Sequence, residues 1–231
     1  MDIPQTSHPH VFVTAGDNAM KMKKLVSYGL AVLMAGCVPI VSLHPLFTKD
    51  TIVFEEKLLG TWVEDSNKPQ VTWEFARLEE DIAERLPPAL RDQIQKCYRV
   101  TITDDKGRRG SFAACLVKLQ DRLFLDILPD KFPAGEQDPE KMKLAYNAFF
   151  FLPVHTFVRV GSLDGQLKVR LTDDEGFKKL LEAEPKAVRY DTIDDRPVLT
   201  ASTAELQAFL AKYADDERLF PSDLTLTRKS K

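Results

Sequence analysis

The chain has 231 residues, 44% hydrophobic and 29% charged, which is enough apolar material for a folded core and excludes a disordered protein. Its formal net charge of −3, from 32 basic against 35 acidic side chains, provides no basic field of the kind that holds nucleic acid. Fourteen Phe, five Tyr and two Trp supply the large groups of one β-rich domain.

Residues 1–19 are polar, carry His8 and His10, and precede a segment of the kind that ordinarily opens a chain. They are expected to be a non-native or disordered extension, with translation starting at Met20 or Met22. Residues 20–36 have the plan of a secretory signal: Lys21, Lys23 and Lys24 lead an uncharged stretch from Leu25 to Met34, followed by small Ala35 and Gly36. The cations stay on the cytoplasmic side while the apolar stretch enters the translocon.

Ala35, Gly36 and Cys37 resemble the lipobox of bacterial lipoproteins, with Met34 at the position where Leu is commonest. The resemblance implies diacylation of the Cys37 thiol, cleavage after Gly36 and acylation of the new amino terminus. The implied partner is a membrane and the implied location the cell envelope. Val38, rather than Asp, after the cysteine resembles the default for outer-membrane transfer in a Gram-negative host. Two competing readings remain. The uncharged run from Leu25 to Leu43 approaches the length of an uncleaved anchor, although Gly29, Gly36 and Pro39 weaken it. The other is a buried helix with a chance cysteine.

Residues 37–50 contain two prolines and no period, and are expected to form a tether to a single domain over 51–231. In that domain, 61–65 and 71–77 form a first hairpin around Asn67, Lys68 and Pro69. Residues 79–96 are helix-like and broken at Pro87 and Pro88. Strands follow at 97–104, from Ser111, at 123–128, 149–160 and 166–171, with a helical segment before Phe149 and a Leu163-Asp164-Gly165 turn. A helix starting near Asp173 or Asp174 carries Phe177, Leu180 and Leu181. After strand-like RYDTI and RPVLTA, Ser202 and Glu205 form a capping box for a helix with Leu206, Phe209, Leu210 and Tyr213 on one face. The tail DLTLTRK is a last strand. This order is α+β and mainly antiparallel β, a barrel or strongly curved sheet with helical insertions and a packed helix near the C-terminus.

Gly60 and Trp62, after Leu58 and Leu59, resemble the opening of lipocalin-like barrels, where the Trp closes the barrel base. In that family a late Arg packs on the Trp, and Arg159 and Arg170 are the candidates here. The resemblance implies a barrel that holds an apolar ligand, and Phe149, Phe150, Phe151 and Leu152 are candidates to line its mouth or core. The alternative is an envelope structural or interaction protein with a solid core and no small-molecule ligand.

If Asp105, Lys106 and Gly107 form a three-residue loop closed by Asp104 and Arg108, counting outward sets Cys97 opposite Cys115 in a non-hydrogen-bonded pair, the spacing that suits a disulfide. Buried free thiols are the other possibility. No metal or cofactor site is expected, because only His44 and His155 follow the leader and neither has a marked partner. No nucleophile elbow or phosphate loop occurs, so no catalytic residue is assigned. The acidic clusters Asp104–Asp105, Asp173–Glu175, Asp194–Asp195 and Asp215–Glu217 fall at turns and helix ends, where Asp caps and turns the chain. Asp194 and Asp195 beside Arg196 are the one carboxylate group with any claim to chemistry.

Overall fold

The computed structural model describes residues 39–64, 71–78, 93–129, 152–221 and 223–229, all within one compact unit spanning Val38–Lys231. The strands are β1 (Val41–Ser42), β2 (Ile52–Val53), β3 (Gly60–Glu64), β4 (Thr72–Arg77), β5 (Cys97–Thr103), β6 (Arg109–Leu119), β7 (Arg122–Pro129), β8 (His155–Ser162), β9 (Gln166–Leu171), β10 (Tyr190–Ile193), β11 (Arg196–Leu199) and β12 (Asp223–Arg228). The helices are α1 (Asp174–Ala183) and α2 (Thr203–Lys212).

Eight strands close into an antiparallel barrel in the order β3-β4-β5-β6-β7-β8-β9-β12, with β12 pairing back onto β3. Closure removes the unpaired edges that an open sheet would expose. The register follows from the period-two pattern. In β9, Leu167 and Val169 point inward while Lys168 and Arg170 point out. The β5–β6 hairpin has the register counted from its sequence, with β6 starting at Arg109 rather than at Ser111. Asp104 N–H donates to the Arg108 carbonyl, Gly107 takes φ +76°, and Cys97 is the Cα partner of Cys115.

The chain between β9 and β12 leaves the barrel and returns over its outer wall. Asp173 caps α1 by accepting from Gly176 N–H at 2.8 Å, and the Ser202–Glu205 capping box opens α2. Arg189 and Ser202 together hold the Glu205 carboxyl down at about 2. The apolar stripes of both helices meet the outer face of β5–β8, so strand residues that would otherwise face water, including Phe124, Leu128 and Phe157, are buried. This is why β7 is apolar on both faces. The molecule therefore has two cores, one inside the barrel and one between its wall and the helices.

Residues 39–50, expected to be a tether, are built into the second core. Val41 and Ser42 pair antiparallel with Thr156 and His155 of β8 and parallel with Val198 and Leu199 of β11, while Leu46 and Phe47 are buried. The prolines hide any period, but Ile40, Leu46 and Phe47 bury enough apolar surface to dock the segment. Strand β8 begins at His155, later than the expected 149, and Leu152 is 70% exposed. Residues 1–38, the central turn of the first hairpin at 65–70, the helix-like stretch over 79–92, and 130–151 with its helical segment and Phe149–Phe151 lie outside the described residues.

Candidate functional site

The barrel interior is the first candidate. Its floor is the segment entering β3. Glu55 N–H donates to the Tyr98 hydroxyl at 2.7 Å, the hydroxyl donates to the Glu55 carbonyl at 3.2 Å, and Phe54 stacks on the Tyr98 ring at 5.0 Å. Burial, ahead of any charge, pushes the Tyr98 hydroxyl above the ordinary tyrosine range and keeps it neutral. Trp62 Nε1 donates to the Leu58 carbonyl at 2.8 Å.

Arg228, at the end of β12, lies over the Trp62 ring at 4.4 Å and donates to the carbonyls of Leu59, at 2.7 Å, and Lys57. It is Arg228, not Arg159 or Arg170, that packs on the Gly60-Thr61-Trp62 corner. Leu224, Leu226 and Arg228 share the inward face of β12 by strict alternation, whereas Arg159 and Arg170 alternate with the inward-facing valines of β8 and β9 and so face out. Gly60 is required at this corner: its φ of +115° lies in the region closed to other residues, and a Cβ there would sit 2.9 Å from Arg228 Nη1.

Above the floor, Trp62, Trp73, Phe75 and Tyr98 pack with Val100, Leu116, Leu125, Leu167, Val169 and Leu226 as one buried cluster, none more than 3% exposed. At the far end Ile102, Phe112, Leu171 and Leu224 are half-buried and form an apolar rim.

The second candidate lies in the outer core, where four in-register positions cross β5 to β8: Cys97, Cys115, Asp126 and Phe157. The Cys97 carbonyl accepts from Leu78 N–H at 3.2 Å, so its backbone groups turn toward β4 and the Cys97–Cys115 pair is the closer, non-hydrogen-bonded kind. Both residues are buried thiols, and burial, with Cys97 and Asp126 alongside, pushes the Cys115 thiol well up. Cys97 Sγ donates to the Gln93 carbonyl at 3.6 Å.

Asp126 is fully buried, yet both of its oxygens are used. Oδ1 lies 2.7 Å from His155 Nδ1, and Oδ2 accepts from Leu46 N–H at 2.7 Å. His155, 4% exposed and 6.1 Å from the Phe47 ring, thus has a carboxylate partner that its neighbours in sequence did not reveal. The available signal was a lone carboxylate in the apolar strand LFLDIL. Ser42, the Cα partner of His155, donates its hydroxyl to the His44 carbonyl at 2.8 Å, so the three residues do not form a proton relay. Their arrangement ties the 39–50 segment to the barrel.

The remaining sequence candidates have separate places. His44 is exposed. Asp194 and Asp195, at φ +47° and +61°, make the two-residue turn between β10 and β11, a conformation Asp tolerates. The turn leaves neighbouring Ile193 60% exposed. Asp104 accepts from Lys106 and Arg108 N–H and pairs with the Arg108 guanidinium, and Asp216 pairs with Arg218. Among the described residues no group of three metal-ligating side chains converges. Cys37 lies outside the described residues.

The fold defines a closed eight-stranded antiparallel barrel compatible with a lipocalin-like fold, and with ligand binding as that architecture allows. No protein-family model, curated protein or solved structure matches the chain.

Proposed function

We propose that this protein is a lipid-anchored envelope protein whose barrel is a solid scaffold that presents its outer surface to another component. The observation that carries the reading is the filled interior: Trp62, Trp73, Phe75 and Tyr98 occupy the space an apolar cargo would need, over a floor sealed by the Tyr98–Glu55 and Arg228–Trp62 contacts. Removal of the leader and acylation of Cys37 are supported by the sequence alone: Lys21, Lys23 and Lys24 ahead of the apolar stretch from Leu25 to Met34, and the resemblance of Ala35, Gly36 and Cys37 to a lipobox.

Metabolic labelling with an alkynyl fatty acid is expected to mark the full-length chain and to be abolished by Cys37→Ser; label surviving that substitution overturns the anchor. Native mass spectrometry of the membrane-purified protein is expected to find no apolar molecule beyond the anchor. A stoichiometric lipid inside the barrel would overturn the solid scaffold and favour the carrier, for which the rim of Ile102, Phe112, Leu171 and Leu224 is the entry.

An oxidising compartment also permits the Cys97–Cys115 disulfide. The two thiols would lose two protons and two electrons to a disulfide-exchange partner, which is itself reduced to two thiols. Closing the hairpin in this way is worth about 3 kcal/mol through the unfolded chain. Alkylation of the exported protein in denaturant is expected to find both cysteines protected until a reductant is added, and immediate alkylation of both would refute the bridge.

A further inference from the structure

With Arg228 on the Trp62 corner, Arg159 and Arg170 are left on the outer wall of the barrel without a role in its closure. They are direct Cα partners across β8 and β9, a like-charge pair that a sheet ordinarily avoids. Arg170 is answered by Asp223, its partner on β12. Arg159 is not: its Nη1 donates to the carbonyls of Leu123, at 3.1 Å, and Val160, its guanidinium lies 5.4 Å from the Phe124 ring, and its Nε is buried with no partner. Burial outweighs the opposing attraction of Asp215 and pushes this guanidinium below its ordinary value. The group is thus held in place and partly dehydrated, with no carboxylate of the described residues in contact.

Beside it runs a cleft of about 460 Å³, with Arg159, Lys168 and Arg170 on the barrel wall and Asp223, Asp215 and Glu217 completing the lining. The β8–β9 ladder bulges between Val160 and Ser162, which places Gly161 in the cleft without a side chain to fill it. Asp215 is engaged by Arg122 at 2.8 Å and Asp223 by Arg170. Among the described residues, Arg159, Lys168 and Glu217 are left without an ion-pair partner: two cations and one carboxylate around one concavity.

We propose that this cleft binds a small zwitterion, with its phosphate or carboxylate on Arg159 and Lys168 and its ammonium on Glu217. A simple anion would meet the three carboxylates, and a simple cation the three basic groups, whereas a ligand carrying both charges satisfies each side. A free metabolite and the exposed head group of an aminophospholipid share this chemistry. The inference is independent of the anchor and of the packed interior, since the cleft lies on the outside of the wall.

Calorimetric titration of the full-length chain carrying Cys37→Ser, with phosphoethanolamine, inorganic phosphate and ethanolamine in turn, tests it. Phosphoethanolamine is expected to bind at least about tenfold more tightly than either half alone. Lys168→Gln, an exposed position, is expected to weaken it about tenfold, and Glu217→Gln to weaken phosphoethanolamine but not phosphate. Arg159→Gln should act like Lys168→Gln, but it also removes the strand contacts, so the lysine variant carries the test. Tighter binding of a short-chain phosphatidylethanolamine assigns the site to a head group, and equal binding assigns it to the free zwitterion. Absence of binding at about 10 mM, or affinity unchanged by Lys168→Gln, overturns the proposal.

Discussion

Asp126→Ala is expected to destabilise the protein by about 2–5 kcal/mol, because it takes the acceptor from two buried groups at once, each of which costs about 1–3 kcal/mol when left unpaired. The carboxylate has two partners, His155 Nδ1 and Leu46 N–H, and water reaches neither side of it, so both are stranded by the substitution. Asp126→Asn keeps an acceptor for one partner and should cost about 1–3 kcal/mol. Replacing both residues together, Asp126→Leu with His155→Phe, is expected to recover part of the loss, because the imidazole is no longer stranded and the Leu46 N–H alone is left without its acceptor. Urea midpoints measure the stabilities, and hydrogen exchange at the Leu46 amide reads the docking of the 39–50 segment. Protection at Leu46 unchanged in Asp126→Ala would show that the segment is held by its apolar contacts alone.

Trp62→Ala removes the largest side chain at the barrel floor, and with it the indole bond to the Leu58 carbonyl and the surface on which Arg228 rests. A loss of about 3–5 kcal/mol is expected from the transfer and cavity terms. The same variant tests the scaffold reading from inside. A hydrophobic fluorophore should be ignored by the native barrel and taken up by the variant, because only the variant offers a void. Trp62→Phe, which opens a smaller space and keeps an aromatic ring under Arg228, serves where the alanine variant does not fold. Stoichiometric dye binding by the native protein would contradict a filled interior.

Much of the fold was legible in the chain because two local signals are strong. Period-two alternation marks β5, β9 and β12, and turn chemistry at Asp104–Arg108 and Leu163–Gly165 sets their pairing, so even the Cys97–Cys115 register could be counted. Ser202 and Glu205 announced α2 for the same reason, since a capping box is complete within four residues. The candidate sites were less legible. Asp126 and His155 are 29 residues apart, and Arg159 lines one cleft with Asp215 only because the α1–α2 insertion folds back over the wall. Apart from the lone carboxylate in LFLDIL, nothing local distinguishes these residues from ordinary surface charge.

By itself the sequence determined the class of fold, the strand faces, the caps and turns, and the expectation of export with acylation at Cys37. Each depends on residues close together in the chain, whose backbone and side-chain preferences act over a few positions. Only the tertiary structure decided which arginine closes the barrel on Trp62, that residues 39–50 belong to the core, and that Asp126 has partners. It also decided that Trp62, Trp73, Phe75 and Tyr98 pack together inside the barrel and that Arg159, Lys168 and Glu217, without ion-pair partners among the described residues, gather outside it. Closure brings β12 against β3, and the helices cover one side of the wall, so the worth of each charged side chain is set by what long-range packing leaves beside it.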